Sequence, residues 1–323
     1  MRETWVMNDP FFIIYDARSG STYFSNLLIK NARVAVPPEA NFITSILSEF
    51  KRENVEDTDD LNGLLDIIYN DDKFEDWDMD IDEVKIKTIA RLPVSLNEFI
   101  KSVLAVYNAR HFSKAQITGI KKGSYVFYYK QIAGLFPDTR FIGIVRDGRA
   151  VFNSKKRSIQ SATGRPFETN PYKAAKQWCS ILDVFEEINK NNIPLMILRY
   201  EDIVSNPEKV LKKACEYIQT DFIRDIQEDK SYYVSERYGR LHENIDKPPE
   251  LDKISSWKNH LTDEEVFAYE SVAHHKLLMN GYKLVNDKND LASKKNRMSN
   301  KVKLIENIFR KPERKSIKNE GKR

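Results

Sequence analysis

Apolar positions along this chain alternate between short strand-like runs and longer stretches with helical spacing. The runs are Phe11–Tyr15, Arg33–Val36, Gln116–Ile120, Phe141–Val145 and Ile193–Tyr200. Nearly continuous apolar runs of this length read as strands buried on both faces, as in a parallel sheet. Between them the spacing predicts helices after Gly20 (Phe24, Leu27 and Leu28 on one side), over Ala40–Phe50, Ser95–His111 and Tyr125–Phe136, and beyond Arg149. Further helices are predicted over Tyr172–Lys190, with Trp178, Cys179, Leu182 and Phe185 as the core stripe, and from Asn206-Pro207-Glu208 to Ile218. Thr262-Asp263-Glu264-Glu265 has capping-box spacing, and Asn280-Gly281 is a C-terminal stop. Strands alternating with helices predict an α/β fold of three layers, a central parallel sheet flanked by helices.

The chain is organised around Phe11–Leu28. The strand FFIIY runs through the polar turn Asp16-Ala17-Arg18-Ser19-Gly20-Ser21-Thr22 into a helix. Such a turn aims backbone N–H groups and the positive end of a helix dipole at one point, which suits a phosphate. Gly20 permits close backbone approach, Ser21 and Thr22 add hydroxyls, and Arg18 adds a fixed charge. The nucleotide-hydrolase pattern GxxxxGK[ST] is absent, for both its first glycine and its lysine are missing. Taken alone, the segment leaves open a second reading, a strand–turn–helix with a serine-rich cap.

A second basic element changes that balance. The strand FIGIV ends in Arg146-Asp147-Gly148-Arg149, and Ser154 lies two helical turns beyond Arg146. A guanidinium fork and a hydroxyl at that spacing suit one dianionic phosphate. Two further residues stand where an open α/β sheet binds ligands. Glu39 follows Pro37-Pro38 and is expected in the first turn of the next helix, where it either complements the helix dipole or faces the ligand. Lys121, at the carboxyl end of a strand, either points into the crevice or is solvated with Lys122. Arg199-Tyr200-Glu201-Asp202 reads as a structural network at a strand end.

At 323 residues and 41% hydrophobic content the chain suffices for a large globular core. No run approaches twenty apolar residues, and MRETWVMNDP has no signal-peptide core, so a soluble cytoplasmic protein is expected. Cys179 and Cys215 build no disulfide framework. Glu53–Glu83 carries fourteen acids against one lysine, and forms either a solvated acidic face or a lid over a substrate. Asp76, Asp78 and Asp80 have the opening spacing of a calcium loop, but Ile81 and Lys87 occupy its glycine and glutamate positions. The segment Asn286–Arg323 carries thirteen basic residues against five acids, which leaves the remainder net negative and argues against nucleic-acid binding. Within it Val302, Leu304, Ile305, Ile308 and Phe309 recur at helical spacing, as in a solvated tail or a basic amphipathic helix on an anionic membrane.

The ordered set ARSGST, PPEA, IKKGSY, FPDTRFIGIVRDGRAVFNS, ILRYEDIVSNPE and SSWK…NGY resembles the sulfotransferases that use 3′-phosphoadenosine 5′-phosphosulfate (PAPS). The resemblance is to the bacterial, tyrosylprotein- and carbohydrate-sulfotransferase-like branch, and it spans roughly Phe11 to Tyr282. It implies a P-loop-like fold in which Arg18, Ser19, Gly20, Ser21 and Thr22 hold the 5′-phosphosulfate. It implies that Arg146 and Ser154 bind the 3′-phosphate, that Glu39 is the general base, and that Lys121 steadies the sulfuryl group. The family's usual Thr-Pro after that lysine is Lys122-Gly123 here. A loop within Ser235–Pro248 falls near a further cofactor contact. Together these imply a sulfotransferase moving a sulfuryl group from PAPS to a hydroxyl or amine of a small-molecule, glycan, lipid or peptide acceptor, without a metal. The alternatives are a nucleotide kinase-like phosphotransferase and a non-catalytic PAP-binding protein. The expected organisation is one domain over residues 1–285, with an acceptor-covering insert at 50–112, and a basic tail over 286–323.

Overall fold

The computed structural model describes residues 7–160, 163–224, 251–287 and 290–291. The chain opens with β1 (Phe11–Tyr15), α1 (Ser21–Asn31), β2 (Val34–Ala35) and α2 (Phe42–Glu49). There follow β3 (Asn54–Val55), α3 (Thr58–Tyr69), a 3₁₀ turn at Phe74–Trp77, α4 (Ile81–Ile89), β4 (Val94–Ser95) and α5 (Leu96–His111). Next come β5 (Ile117–Lys121), a 3₁₀ segment at Gly123–Tyr128, α6 (Tyr129–Leu135), β6 (Phe141–Val145), α7 (Gly148–Arg157), α8 (Pro171–Lys190) and β7 (Leu195–Arg199). The described part ends with α9 (Tyr200–Ser205), α10 (Pro207–Tyr217), α11 (Asp252–Ser255) and α12 (Asp263–Met279).

The main sheet has five strands in the order β2-β5-β1-β6-β7, and every pairing is parallel. Parallel strands lie under helices on both faces, so β1, β5 and β6 are buried at every position. Phe12 anchors the core, its ring 5.7 Å from Tyr125, 5.9 Å from Phe136 and 5.8 Å from Phe141. Helices cover the sheet, α8 packing on α7 and α12 while α1 packs on α10. The predicted α/β architecture with a central parallel sheet is therefore the observed one. Because β1 lies between β5 and β6, the chain leaves it toward one edge and later crosses to the other. The crevice beyond the carboxyl ends of these three strands is where such sheets bind ligands.

Two local expectations change. The helix after Pro37-Pro38 starts at Phe42, so Glu39 precedes it instead of sitting in its first turn. The reason is external capping: the Asp71 carboxylate accepts from the backbone N–H groups of Asn41 and Phe42, the latter at 2.7 Å. The acidic segment is also more than a surface face. Its Leu61, Leu64, Ile68 and Trp77 are fully enclosed, and the Trp77 ring lies 5.2 Å from both Phe42 and Tyr107. A short antiparallel clasp, Asn54 opposite Ser95 and Val55 opposite Val94, ties its start to α5. Among the described residues no helix is long and apolar enough to cross a membrane.

Candidate active site

The turn after β1 is shaped by backbone conformation before any side chain acts. Ser19 N–H bonds to Asp16 O at 3.1 Å, while Arg18 (φ 74°) and Gly20 (φ 88°) both take the left-handed conformation. Gly20 is also the only residue that fits there, because a Cβ would stand 2.3 Å from the Tyr200 ring. As the N-cap of α1 it offers no side chain, which leaves the first-turn N–H groups of the helix to a ligand. Ser19, Ser21 and Thr22 are all buried around this turn.

Arg18, Arg146 and Ser154 meet there. The Arg18 Nε donates to Ser154 Oγ at 3.2 Å, and Arg146 Nη1 donates to the Arg18 carbonyl at 3.2 Å. Arg146 also donates to the Lys253 carbonyl at 3.0 Å and lies 4.3 Å above the Tyr200 ring. Its Nε is buried without a hydrogen-bond partner among the described residues. Burial, then the neighbouring Arg146 charge, pulls the Arg18 guanidinium below its ordinary value. An anion between the two would reverse that second effect and satisfy the orphan Nε, so the cluster fits a phosphate or sulfate group.

The second group sits on the other side of β1. Lys121 Nζ, almost fully buried, bonds Glu39 Oε1 at 2.6 Å and Thr22 Oγ1 at 3.3 Å. The Tyr15 hydroxyl donates to the same Glu39 Oε1 at 2.5 Å. Burial alone would raise the Glu39 carboxyl; the Lys121 charge and the bonds from Lys121 and Tyr15 overcome it and hold it at about 2. Burial likewise disfavours the Lys121 ammonium, but Glu39 and Tyr15 more than restore it, and its pKa is raised. Lys122 is buried too, bonded to Ala40 O at 3.2 Å and to Asn41 Oδ1. Burial and the Lys73 charge pull Lys122 down to about 8. Neither lysine is solvated.

Every predicted site residue thus falls at this one sheet edge, with Thr22 joining the Arg18 cluster to the Glu39 cluster. Several neighbours were not legible in the sequence. Tyr200 supports both Gly20 and Arg146, although its segment reads as a plain strand-end network. That network also exists: Glu201 accepts from Asp147 N at 3.0 Å and from Tyr282 Oη at 3.1 Å. Trp178 Nε1 donates to the Arg146 carbonyl at 3.1 Å. Behind the turn, Asp16 and Lys155 form a buried ion pair at 2.6 Å that pins it to α7. Burial, only partly offset by Lys155, leaves the Asp16 carboxyl raised. The cofactor loop expected within Ser235–Pro248 and the basic tail beyond residue 291 lie outside the described residues.

Comparison with known proteins gives the family and the fold. Residues 10–224 match the model of the sulfotransferase family. A protein-tyrosine sulfotransferase of Drosophila melanogaster is 26% identical over 159 residues, covering 46% of this chain and 30% of that protein. Protein-tyrosine sulfotransferase A of Caenorhabditis elegans is 24% identical over 153 residues, covering 43% of this chain and 38% of that protein. The matched part therefore spans little more than a third of these relatives at most. Among solved structures, the sulfotransferase domain from the curacin biosynthetic pathway superposes with a TM-score of 0.55 at 17% identity. That match covers 86% of this chain and 99% of the domain, which establishes a shared fold. With its family model matched over most of its length and its basic residues gathered at one sheet edge, this chain belongs to the sulfotransferase family.

Proposed function

We propose that this protein transfers a sulfuryl group from PAPS to a hydroxyl or amine acceptor. The reading rests above all on one observation: Arg18 links the turn after β1 to the turn and helix after β6, its side chain on Ser154 and its carbonyl on Arg146. In this reading the Arg18–Thr22 turn and the first-turn amides of α1 hold the 5′-phosphosulfate. Arg146 and Ser154 take the 3′-phosphate, the group that distinguishes this nucleotide from AMP or ATP. The bound donor supplies a sulfuryl group that is already activated. Glu39 accepts the proton that the acceptor loses, and Lys121 stands by with a buried positive charge beside Thr22. As in phosphoryl transfer, positioning and fixed charge carry most of the rate. The family assignment favours sulfuryl over phosphoryl transfer.

One feature favours a second reading, a protein that binds PAP without turnover. Glu39 held at about 2 by Lys121 is a weak base in this state. A screen with labelled PAPS against sugars, phenols, lipids and peptides separates the two. Labelled product supports the enzyme, whereas tight PAP binding with no transfer across all four classes supports the binding protein.

A further inference from the structure

The carboxylate of Glu39 is held unsymmetrically. Lys121 Nζ and Tyr15 Oη both bond Oε1, and no hydrogen bond among the described residues reaches Oε2. The sheet explains why these two donors arrive together. Ile13 pairs with Lys121 across the β1–β5 ladder, and Tyr15 lies two residues along β1 on the same face as Ile13. Lys121 therefore also sits 3.5 Å from the Tyr15 hydroxyl and 5.5 Å from its ring centre. Gly123 keeps the arrangement tight, since a Cβ there would come within 2.8 Å of the Tyr15 carbonyl. Tyr15 is itself buried at the end of an otherwise aliphatic and phenylalanine strand, so its hydroxyl has a fixed direction.

We propose that Tyr15 is a positioning residue, which fixes the Glu39 carboxylate by Oε1 so that Oε2 faces the acceptor proton. The inference rests on the reading of Glu39 as the base, and Tyr15 acts only through it. A second donor on Oε1 matters because Lys121 alone, on a four-carbon stem, would not set the rotation of the carboxylate plane. It also keeps Glu39 oriented when Lys121 turns toward an incoming anionic group. Charged or titratable groups facing Glu39 are Lys121 from β5, Tyr15 from β1 and Lys73 from the acidic segment. Glu39 in turn bears on Lys122 and Tyr125.

The test is Tyr15→Phe in the full chain, which keeps the ring and removes only the hydroxyl. Glu39 is followed by carboxyl ¹³C NMR of glutamate-labelled protein without donor, its signal identified by loss in Glu39→Gln. The expected result is an upward move of the Glu39 titration midpoint in Tyr15→Phe. With PAPS and an acceptor, kcat falls about tenfold, the loss of one hydrogen bond to a charged group. The acidic limb of the kcat profile rises with the NMR midpoint, while PAP affinity stays within about twofold of wild type. An unchanged Glu39 midpoint, or an unchanged kcat, overturns the proposal. So does a loss of kcat matched by equal losses of PAP affinity and melting temperature, which marks a merely structural role. If the wild type binds PAP yet transfers nothing, the reading of Glu39 as base fails, and the NMR comparison still decides whether Tyr15 holds its carboxylate.

Discussion

The guanidinium of Arg146 donates to the backbone carbonyl of Arg18 at 3.2 Å, across 128 positions of sequence. Two cations are thereby brought against each other at the end of the sheet, at an electrostatic cost that a bound anion removes. If that anion is the 3′-phosphate, Arg146→Ala weakens PAP binding by about tenfold to a hundredfold, from lost charged hydrogen bonds. AMP, which lacks the group, loses far less. Calorimetry with both nucleotides checks this, and equal losses refute the assignment.

Glu39→Gln keeps the size of the side chain and removes the basic oxygen. Transfer falls by about 10²–10⁴, the usual contribution of a general base, while the PAP dissociation constant changes little. A fully active variant removes Glu39 from that role.

The same carboxylate makes stability depend on pH. Its pKa is depressed in the fold from 4.5 to about 2, so the folded state binds fewer protons than the unfolded one across that interval. The stabilisation is complete above the ordinary value and is lost as pH falls through 4.5 toward about 2. Melting curves of wild type and Glu39→Gln therefore converge on acidification through that interval, and a constant gap contradicts the ion pair with Lys121.

Gly20→Ala places a methyl group into the Tyr200 ring at a left-handed backbone position. Overpacking and backbone strain together cost about 1–3 kcal/mol. Because Tyr200 also carries Arg146, PAP affinity falls with the melting temperature. Retained affinity in a destabilised variant would separate the ring from the site.

Lys155→Met leaves the Asp16 carboxylate buried beside an apolar chain. Removing one partner of such a pair costs about 3–5 kcal/mol. Asp16→Asn combined with Lys155→Met recovers part of that loss, read by denaturant unfolding of the two single variants and the double.

The two strands β1 and β6 were legible because burial on both faces leaves almost nothing but apolar residues in them, as FFIIY and FIGIV show, whereas β7 at the sheet edge is only partly buried. The two basic turns after β1 and β6 were legible for a related reason. Each follows such a strand directly and joins Gly to Arg and Asp, with Ser and Thr added in the first turn only. What the sequence could not carry was every relation between distant segments. Asp71 caps a helix thirty residues before it, Tyr200 props both Gly20 and Arg146, and Asp16 pairs with Lys155. Lys121 and Lys122 read equally as solvated until Glu39, Ala40 and Asn41 are brought against them. Periodicity and turn chemistry act between near neighbours and so are written locally. The protonation of Glu39 and the pairing of its oxygens depend on which strands lie side by side, and only the assembled sheet decides that.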